Sequence, residues 1–477
     1  MTTNSHNPEE NENVHWGHES YRDYLTTVDD DGKRIWIFAK KPKGKWHFNR
    51  KWVGYILLLF FFSAPFIKIH GHQMLQLDFV HRKFVLFGSV FWPHDFYIFL
   101  IGFITFIVFI FLFTAIFGRL WCGWACPQTI FMELVFRKVE YLIEGDASAQ
   151  RKLSSLPWTT EKILKRGSKY LVFYIISFFI ANIFLSYIVG SDALLAIVKD
   201  NMGNHTKGLI AIAVFSGVFF FVYAYMREQV CTIVCPYGRL QSVLIDDQSL
   251  IVAYDNKRGE PRAKWGRNRE AGAGDCINCA QCVDVCPTGI DIRNGLQLEC
   301  INCTACIDAC NSIMTKIEKP QGLIRYASMQ GIVKGEPFKM TTRRILYSVL
   351  LTILLSVLVI ILSVRSHVQA TILRSPGMSY TETNGKVMNI YSIKVLNKTF
   401  TPIAITLKLE DIDGNIDLVG KKDIVAPSED YGEGIIRISI PKKLVTGIDM
   451  KVKIGVYSGD ERLQTINTAF MGPDPSF

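Results

Sequence analysis

Long apolar runs and short, strictly alternating ones divide this chain into two unlike parts. Five apolar stretches, at about residues 52–69, 95–118, 168–190, 207–226 and 344–364, each approach the ~20 residues that carry a helix across a bilayer core. They predict five transmembrane helices. The first is the shortest and is interrupted by Pro65, yet it runs from Ile56 to Phe62 without a polar side chain and has no charge before Lys68. After residue 370 the period changes. Ile403, Ile405, Leu407 and Leu409 alternate with Ala404, Thr406, Lys408 and Glu410; Ile436, Ile438 and Ile440 alternate with Arg437 and Ser439; Met450, Val452, Ile454 and Val456 alternate with Lys451, Lys453 and Gly455. A period of two, broken by Asp-Gly and Pro-containing turns, predicts a small antiparallel β-sandwich over 370–477, a binding or docking module.

Composition agrees with a membrane protein of several domains. The chain has 477 residues, 49% of them hydrophobic, and a mean hydropathy of +0.19, too apolar for an ordinary soluble enzyme. Lys40, Lys41, Lys43, Lys45, Arg50 and Lys51 precede the first stretch, and Lys162, Lys165, Arg166 and Lys169 lead into the third. Positive segments stay cytoplasmic, so the N-terminus is expected inside. Segments 70–94 and 191–206 are expected outside, and an odd number of spans puts the C-terminal domain outside too. The net charge of +10 is absorbed by this asymmetry, and no motif suggests nucleic acid. The start of the chain is polar and acidic from Asn4 to Asn13, so no cleaved signal peptide is expected. The resulting division is a partly disordered cytoplasmic arm at 1–51, a four-span domain at 52–226, a cytoplasmic insertion at 227–343, the fifth span at 344–364 and the β-domain.

The cytoplasmic insertion holds eight of the twelve cysteines. They form two copies of one spacing, CINCAQCVDVC at Cys276, Cys279, Cys282 and Cys286, and CINCTACIDAC at Cys300, Cys303, Cys306 and Cys310. In a bacterial-type two-cluster ferredoxin pattern, three close cysteines wrap three corners of a [4Fe-4S] cube and the distant fourth ligates the other cube. The expected sets are Cys276, Cys279, Cys282 with Cys310, and Cys300, Cys303, Cys306 with Cys286. Two zinc knuckles or a disulfide framework are the alternatives; zinc generally takes two Cys-x-x-Cys pairs across a longer spacer. Pro287 follows Cys286 in the ferredoxin manner, whereas Asn311 follows Cys310. None of the twelve cysteines follows Cys310, which suits reduced thiols inside and an exported domain without disulfides.

The other four cysteines lie in GRLWCGWACPQ, at Cys122 and Cys126, and in EQVCTIVCPYGRLQ, at Cys231 and Cys235. Residues at i and i+4 share a helix face, and Pro127 and Pro236 push the preceding cysteine out of helical geometry. Spans two and four are therefore expected to end at their second thiols, at one membrane depth. If the helices pack together, four sulfurs converge on a site for Cu(I), zinc or an iron–sulfur cluster. Isolated buried thiols or a palmitoylation site are the alternatives. His70, His72 and Met74 of the first outer loop are a further candidate to receive copper, although such residues are more commonly interfacial.

With these elements in place, the chain resembles the CcoG/FixG (RdxA) family of cytochrome c oxidase accessory proteins. The resemblance rests on GRLWCGWACPQTIFMELVFRKVEYLIEGD, the preceding FWPHDF, the paired ferredoxin runs and the exported β-domain. It implies a bacterial inner-membrane iron–sulfur protein needed for assembly of the cbb-type oxidase, an oxidoreductase that reduces Cu(II) to Cu(I), with an immunoglobulin-like C-terminal domain. The implied route passes from a quinol or cytoplasmic electron donor through two [4Fe-4S] clusters to Cys122, Cys126, Cys231 and Cys235. Copper ion, oxidase assembly factors and copper transporters or chaperones are the implied partners. The Cys-x-x-x-Cys-Pro pairs also resemble NapH-type ferredoxins, which leaves a quinol-oxidising relay to another acceptor, or a non-catalytic assembly scaffold, as competing readings.

Overall fold

The structure is a computed structural model that describes residues 26–473, apart from 29–30, 32, 70, 80–82, 200–205, 267–270, 336–339, 376, 378–379 and 421–422. Its chain forms two compact units, residues 1–66 with 102–354, and residues 67–101 with 355–477.

Among the described residues four helices are long and apolar enough to cross a membrane: Phe96–Phe117, Thr160–Val189, Gly208–Met226 and Thr342–Val364. Their surfaces show why water is not their solvent. Phe103, Phe179, Ile210 and Ile360 are all more than 60% exposed, which is tolerated only where lipid covers them. The first expected span forms a helix over Lys45–Ser63. It begins within the expected arm, carries Lys45, His47, Arg50 and Lys51 in its first turns, and ends two residues before Pro65. The tail of the expected stretch, Lys68–Ile69, is instead a strand paired with His72–Gln73.

In the first unit the Thr160–Val189 helix packs on Thr206–Phe221 through Phe184, Phe215 and Phe219. Buried charges tie the ends of these helices to their loops. Lys169 lies 3.3 Å from Glu140 and 2.7 Å from Glu144, Arg227 pairs with Glu140, and Arg137 joins Glu133 at 2.9 Å to Glu228. Burial pushes the Glu140 carboxyl up, but Arg227 and Lys169 outweigh it and hold the group below the usual carboxylate range. The ferredoxin segment is built on an antiparallel pair, Ile251–Tyr254 with Ile324–Ala327. Its Ala305–Lys316 helix carries Asp308, which accepts the Trp46 N–H at 3.2 Å and the His47 N–H at 2.7 Å. A carboxylate there satisfies the open N–H groups of the Lys45–Ser63 helix and complements its dipole.

The second unit contains the expected sandwich. One sheet runs Asn415–Val419, Tyr431–Pro441, Lys386–Asn397, Val368–Arg374, with Thr381–Thr383 also on Lys386–Asn397. The other runs Ile424–Ala426, Ile403–Leu409, Asp449–Ser458, Glu461–Met471, and all pairs in both are antiparallel. The alternation decides which faces meet: Ile436, Ile438, Ile440, Val452, Ile454 and Val456 are fully buried between the sheets. Within this unit Asp95 is buried between Lys398, at 2.7 Å, and Arg365, at 2.8 Å. Of the candidate copper loop, His70 lies outside the described residues. His72 Nε2 is 2.7 Å from Glu429 Oε1 and stacks on Phe400.

Candidate metal and electron-transfer centre

The two ferredoxin runs fold as the same loop twice. Asn278 and Ala280 in the first, and Asn302 and Thr304 in the second, all adopt left-handed backbone, with φ of 55°, 54°, 53° and 65°. They stand two and four residues after the first cysteine of each run. This curvature turns each loop into a concave cradle whose sulfurs face one volume. Cys276, Cys279, Cys282 and Cys310 line one cavity together with Tyr254 and Arg293. Cys286, Cys300, Cys303 and Cys306 line a second with Thr288 and Asn302, and Cys282 borders both. The close triplet of each run thus shares its cavity with the distant cysteine of the other.

Each cavity gathers one such set of four thiols, three from one run and one from the other, which is the donor set of a cube. Burial pushes the thiols of Cys282 and Cys300 up to about 12 and that of Cys303 to about 11. Loading must therefore displace protons. Polar groups approach the sulfurs singly: Thr288 Oγ1 is 3.3 Å from Cys286 Sγ, and the Tyr254 hydroxyl bonds Cys276. Cys279 alone of the eight is exposed.

The Cys-x-x-x-Cys-Pro elements differ from expectation in one respect. The membrane helices stop before their first thiol, not at the second. Gly118 at φ 55° and Arg227 at φ 51°, each four residues ahead of the first cysteine, break the chain. Cys122 then sits in a short helix, Leu120–Trp124, and Cys231 in a π-helical turn, Val230–Val234. The prolines act as expected. Cys126 and Cys235 are extended, and Pro127 and Pro236 open new helices.

The two elements lie near each other all the same. Burial raises the Cys231 thiol to about 12, and Cys126, Cys122 and Cys235 are near enough to raise it further. Cys122 Sγ donates to Gln241 Oε1 at 3.4 Å. Cys122 also packs against Val285, Ile301, Cys303 and Ala305, in the wall of the second ferredoxin cavity. Arg50 Nε donates to the Gly123 carbonyl at 2.6 Å, and Trp124 reaches Asn302 through the Tyr326 hydroxyl.

Sequence reasoning located all twelve cysteines but not Arg119, Gln241, Tyr254 or Thr288, which surround them. Arg119 had one available signal, a lone arginine between the apolar second span and Cys122.

Three family profiles match the chain: one described as a 4Fe-4S dicluster domain over residues 226–329, one as a 4Fe-4S binding domain over 98–144, and one as the IG-like fold at the C-terminal of FixG, putative oxidoreductase, over 358–473. Protein RdxA of Cereibacter sphaeroides is 34% identical over 420 residues, covering 84% of this chain and 88% of the relative. Protein RdxB of the same organism is 35% identical, covering 77% and 80%. Nitrogen fixation protein FixG of Rhizobium meliloti is 35% identical, covering 62% and 58%.

Proposed function

Since the chain belongs to the FixG/RdxA family and is an iron–sulfur electron-transfer protein of the membrane, we propose that it reduces Cu(II) to Cu(I) for maturation of a cbb-type cytochrome c oxidase. The observation that carries this reading is the packing of Cys122 against the buried cluster that contains Ile301 and Cys303, which sets the first thiol pair beside the wall of a ferredoxin cavity. Clusters held by Cys276, Cys279, Cys282 and Cys310, and by Cys300, Cys303, Cys306 and Cys286, supply single electrons when bound.

The residues define an order. Cys279 is the exposed corner and faces a cytoplasmic donor, or one reduced by quinol. Cys282 borders both cavities, so the two sets adjoin. Cys122, Cys126, Cys231 and Cys235 stand at the exit, where soft thiolates favour Cu(I) over hard cations. Each electron delivered there converts one Cu(II) to one Cu(I), for handover to a copper chaperone or oxidase assembly factor. In this reading the N-terminus and ferredoxin segment lie in the cytoplasm and residues 370–477 in the periplasm, which the lysine and arginine near the spans support.

The test is anaerobic reoxidation of the reduced full chain by Cu(II), in wild type, Cys122→Ser, Cys231→Ser and the double variant. Each single variant is expected to abolish copper reduction with both ferredoxin clusters retained by EPR, and the double variant to be no worse, because residues serving one centre lose function non-additively. Wild-type copper reduction in the double variant would leave the quartet structural. Oxidation by a quinone analogue without copper turnover would favour the relay.

A further inference from the structure

Arg119 is buried, at 6% exposure, and no carboxylate among the described residues lies within ion-pair distance of it. The other arginines around the centre are matched: Arg50 faces Glu133, at 3.9 Å, and Arg137 binds both Glu133 and Glu228. Arg119 Nη2 instead donates to the Gly238 carbonyl at 2.7 Å. Gly238 is pressed against the second thiol loop, where an added Cβ would lie 2.4 Å from the Cys231 carbonyl. On its other side the backbone beside Arg119 abuts the ferredoxin segment, since a Cβ on Gly118 would lie 3.1 Å from the Leu250 carbonyl and 3.4 Å from Asn302 Nδ2. Burial lowers the Arg119 pKa, and the groups opposing that are Cys122, Cys300, Glu299 and Cys231.

A buried guanidinium without a carboxylate is costly unless another anion faces it. Here the neighbouring groups are the sulfurs of two different sets, Cys122 and Cys231 in one and Cys300 in the other, together with the buried Glu299, whose carboxylate stands beyond ion-pair distance. We propose that Arg119 is a charge bridge shared by the quartet and the Cys300 set, which raises the reduction potential of the second cluster above the value it would have without this cation. A fixed positive charge favours the more negative, reduced form of a cluster, and net charge around the sulfurs is one of the levers that set its potential. The cation beside the first cluster is already matched by a carboxylate. Arg293, which lines its cavity, is held by Asp291 in a two-pronged contact at 2.8 and 2.6 Å. Arg119 thus acts through the second cluster, and its charge favours transfer from the first set to the second.

This rests on the assignment of the Cys300 set to a cluster, and the test separates the two. Full-length Arg119→Gln, which keeps an amide donor but loses the charge, is titrated anaerobically by EPR. The second signal is identified as the one lost in Cys303→Ser. With about eight iron per chain retained, as two cubes require, the second midpoint is expected to move negative while the first stays in place. An unmoved second midpoint at full iron overturns the bridge; about four iron in the wild type overturns the cluster assignment instead. Should Arg119→Gln lose iron, Arg119→Lys decides. Assembled protein with a near-native second midpoint supports the charge, and loss of iron from the lysine variant too would make Arg119 a packing residue.

Discussion

Gly123 lies flat against Ile301: a Cβ added to Gly123 would stand 2.4 Å from the Ile301 carbonyl oxygen, with the Asn302 carbonyl oxygen 2.9 Å away on the same side. Both obstacles are backbone and neither can swing aside. The first Cys-x-x-x-Cys-Pro element and the second ferredoxin run are therefore in backbone contact, and the residue between Cys122 and Trp124 must be small.

Gly123→Ala is expected to push these two loops apart without removing a thiol. Rapid mixing of the prereduced variant with Cu(II) should show slower reoxidation at unchanged iron content. Wild-type kinetics in a fully loaded variant would mean that electrons do not cross this contact.

The ferredoxin cavities predict separable lesions. Cys279→Ser should damage the first cluster and Cys303→Ser the second, each lowering iron from about eight to about four per chain. Zinc in place of iron, with no cluster signal after dithionite, would contradict the assignment.

Asp95 offers a pH test in the second unit. Burial pushes its carboxyl up, but the Lys398 hydrogen bond and the Arg365 charge outweigh this and hold it below the usual range. A depressed carboxyl contributes stability that is present above its unfolded pKa of about 3.9 and is lost as pH falls through the folded value. Asp95→Asn leaves two buried cations unmatched and should cost on the order of 3 kcal/mol at neutral pH. Hydrogen exchange of Lys386–Asn397 and Tyr431–Pro441 reads the loss, and the gap between variant and wild type should narrow in acid.

Topology is tested by reporters fused after Phe477. An enzyme active only when exported should function there and one active only in the cytoplasm should not. The opposite result would mean an even number of spans, and the Lys45–Ser63 helix, with its charged first turns, would be the one that does not cross.

The sandwich and the cysteine runs were legible because their signals are local: a period of two, a run of apolar residues, a thiol every third position. The ends of spans two and four were half legible. The apolar runs stop at Gly118 and Met226, but Pro127 and Pro236 pointed to the second thiols, and the backbone reversals at Gly118 and Arg227 end the helices before the first. Asp308 was equally hidden, since its partners Trp46 and His47 stand more than 250 residues away in sequence. Arg119 acquires its meaning only when two cysteine sets, far apart in the chain, close around it.

The left-handed residues Asn278, Ala280, Asn302 and Thr304 carry a consequence for the life of the protein in a cell. Ala280 and Thr304 each cost roughly 1–2 kcal/mol where glycine would cost little, and Thr304 is β-branched as well. Bound clusters would offset that strain, so a chain made when iron is scarce is expected to be more open to proteases around these cysteines. Iron supply would then set how much of the protein persists. A pulse-chase under chelation should find a shortened half-life, relieved by Ala280→Gly with Thr304→Gly; an unchanged half-life would mean that the loops close before they are filled.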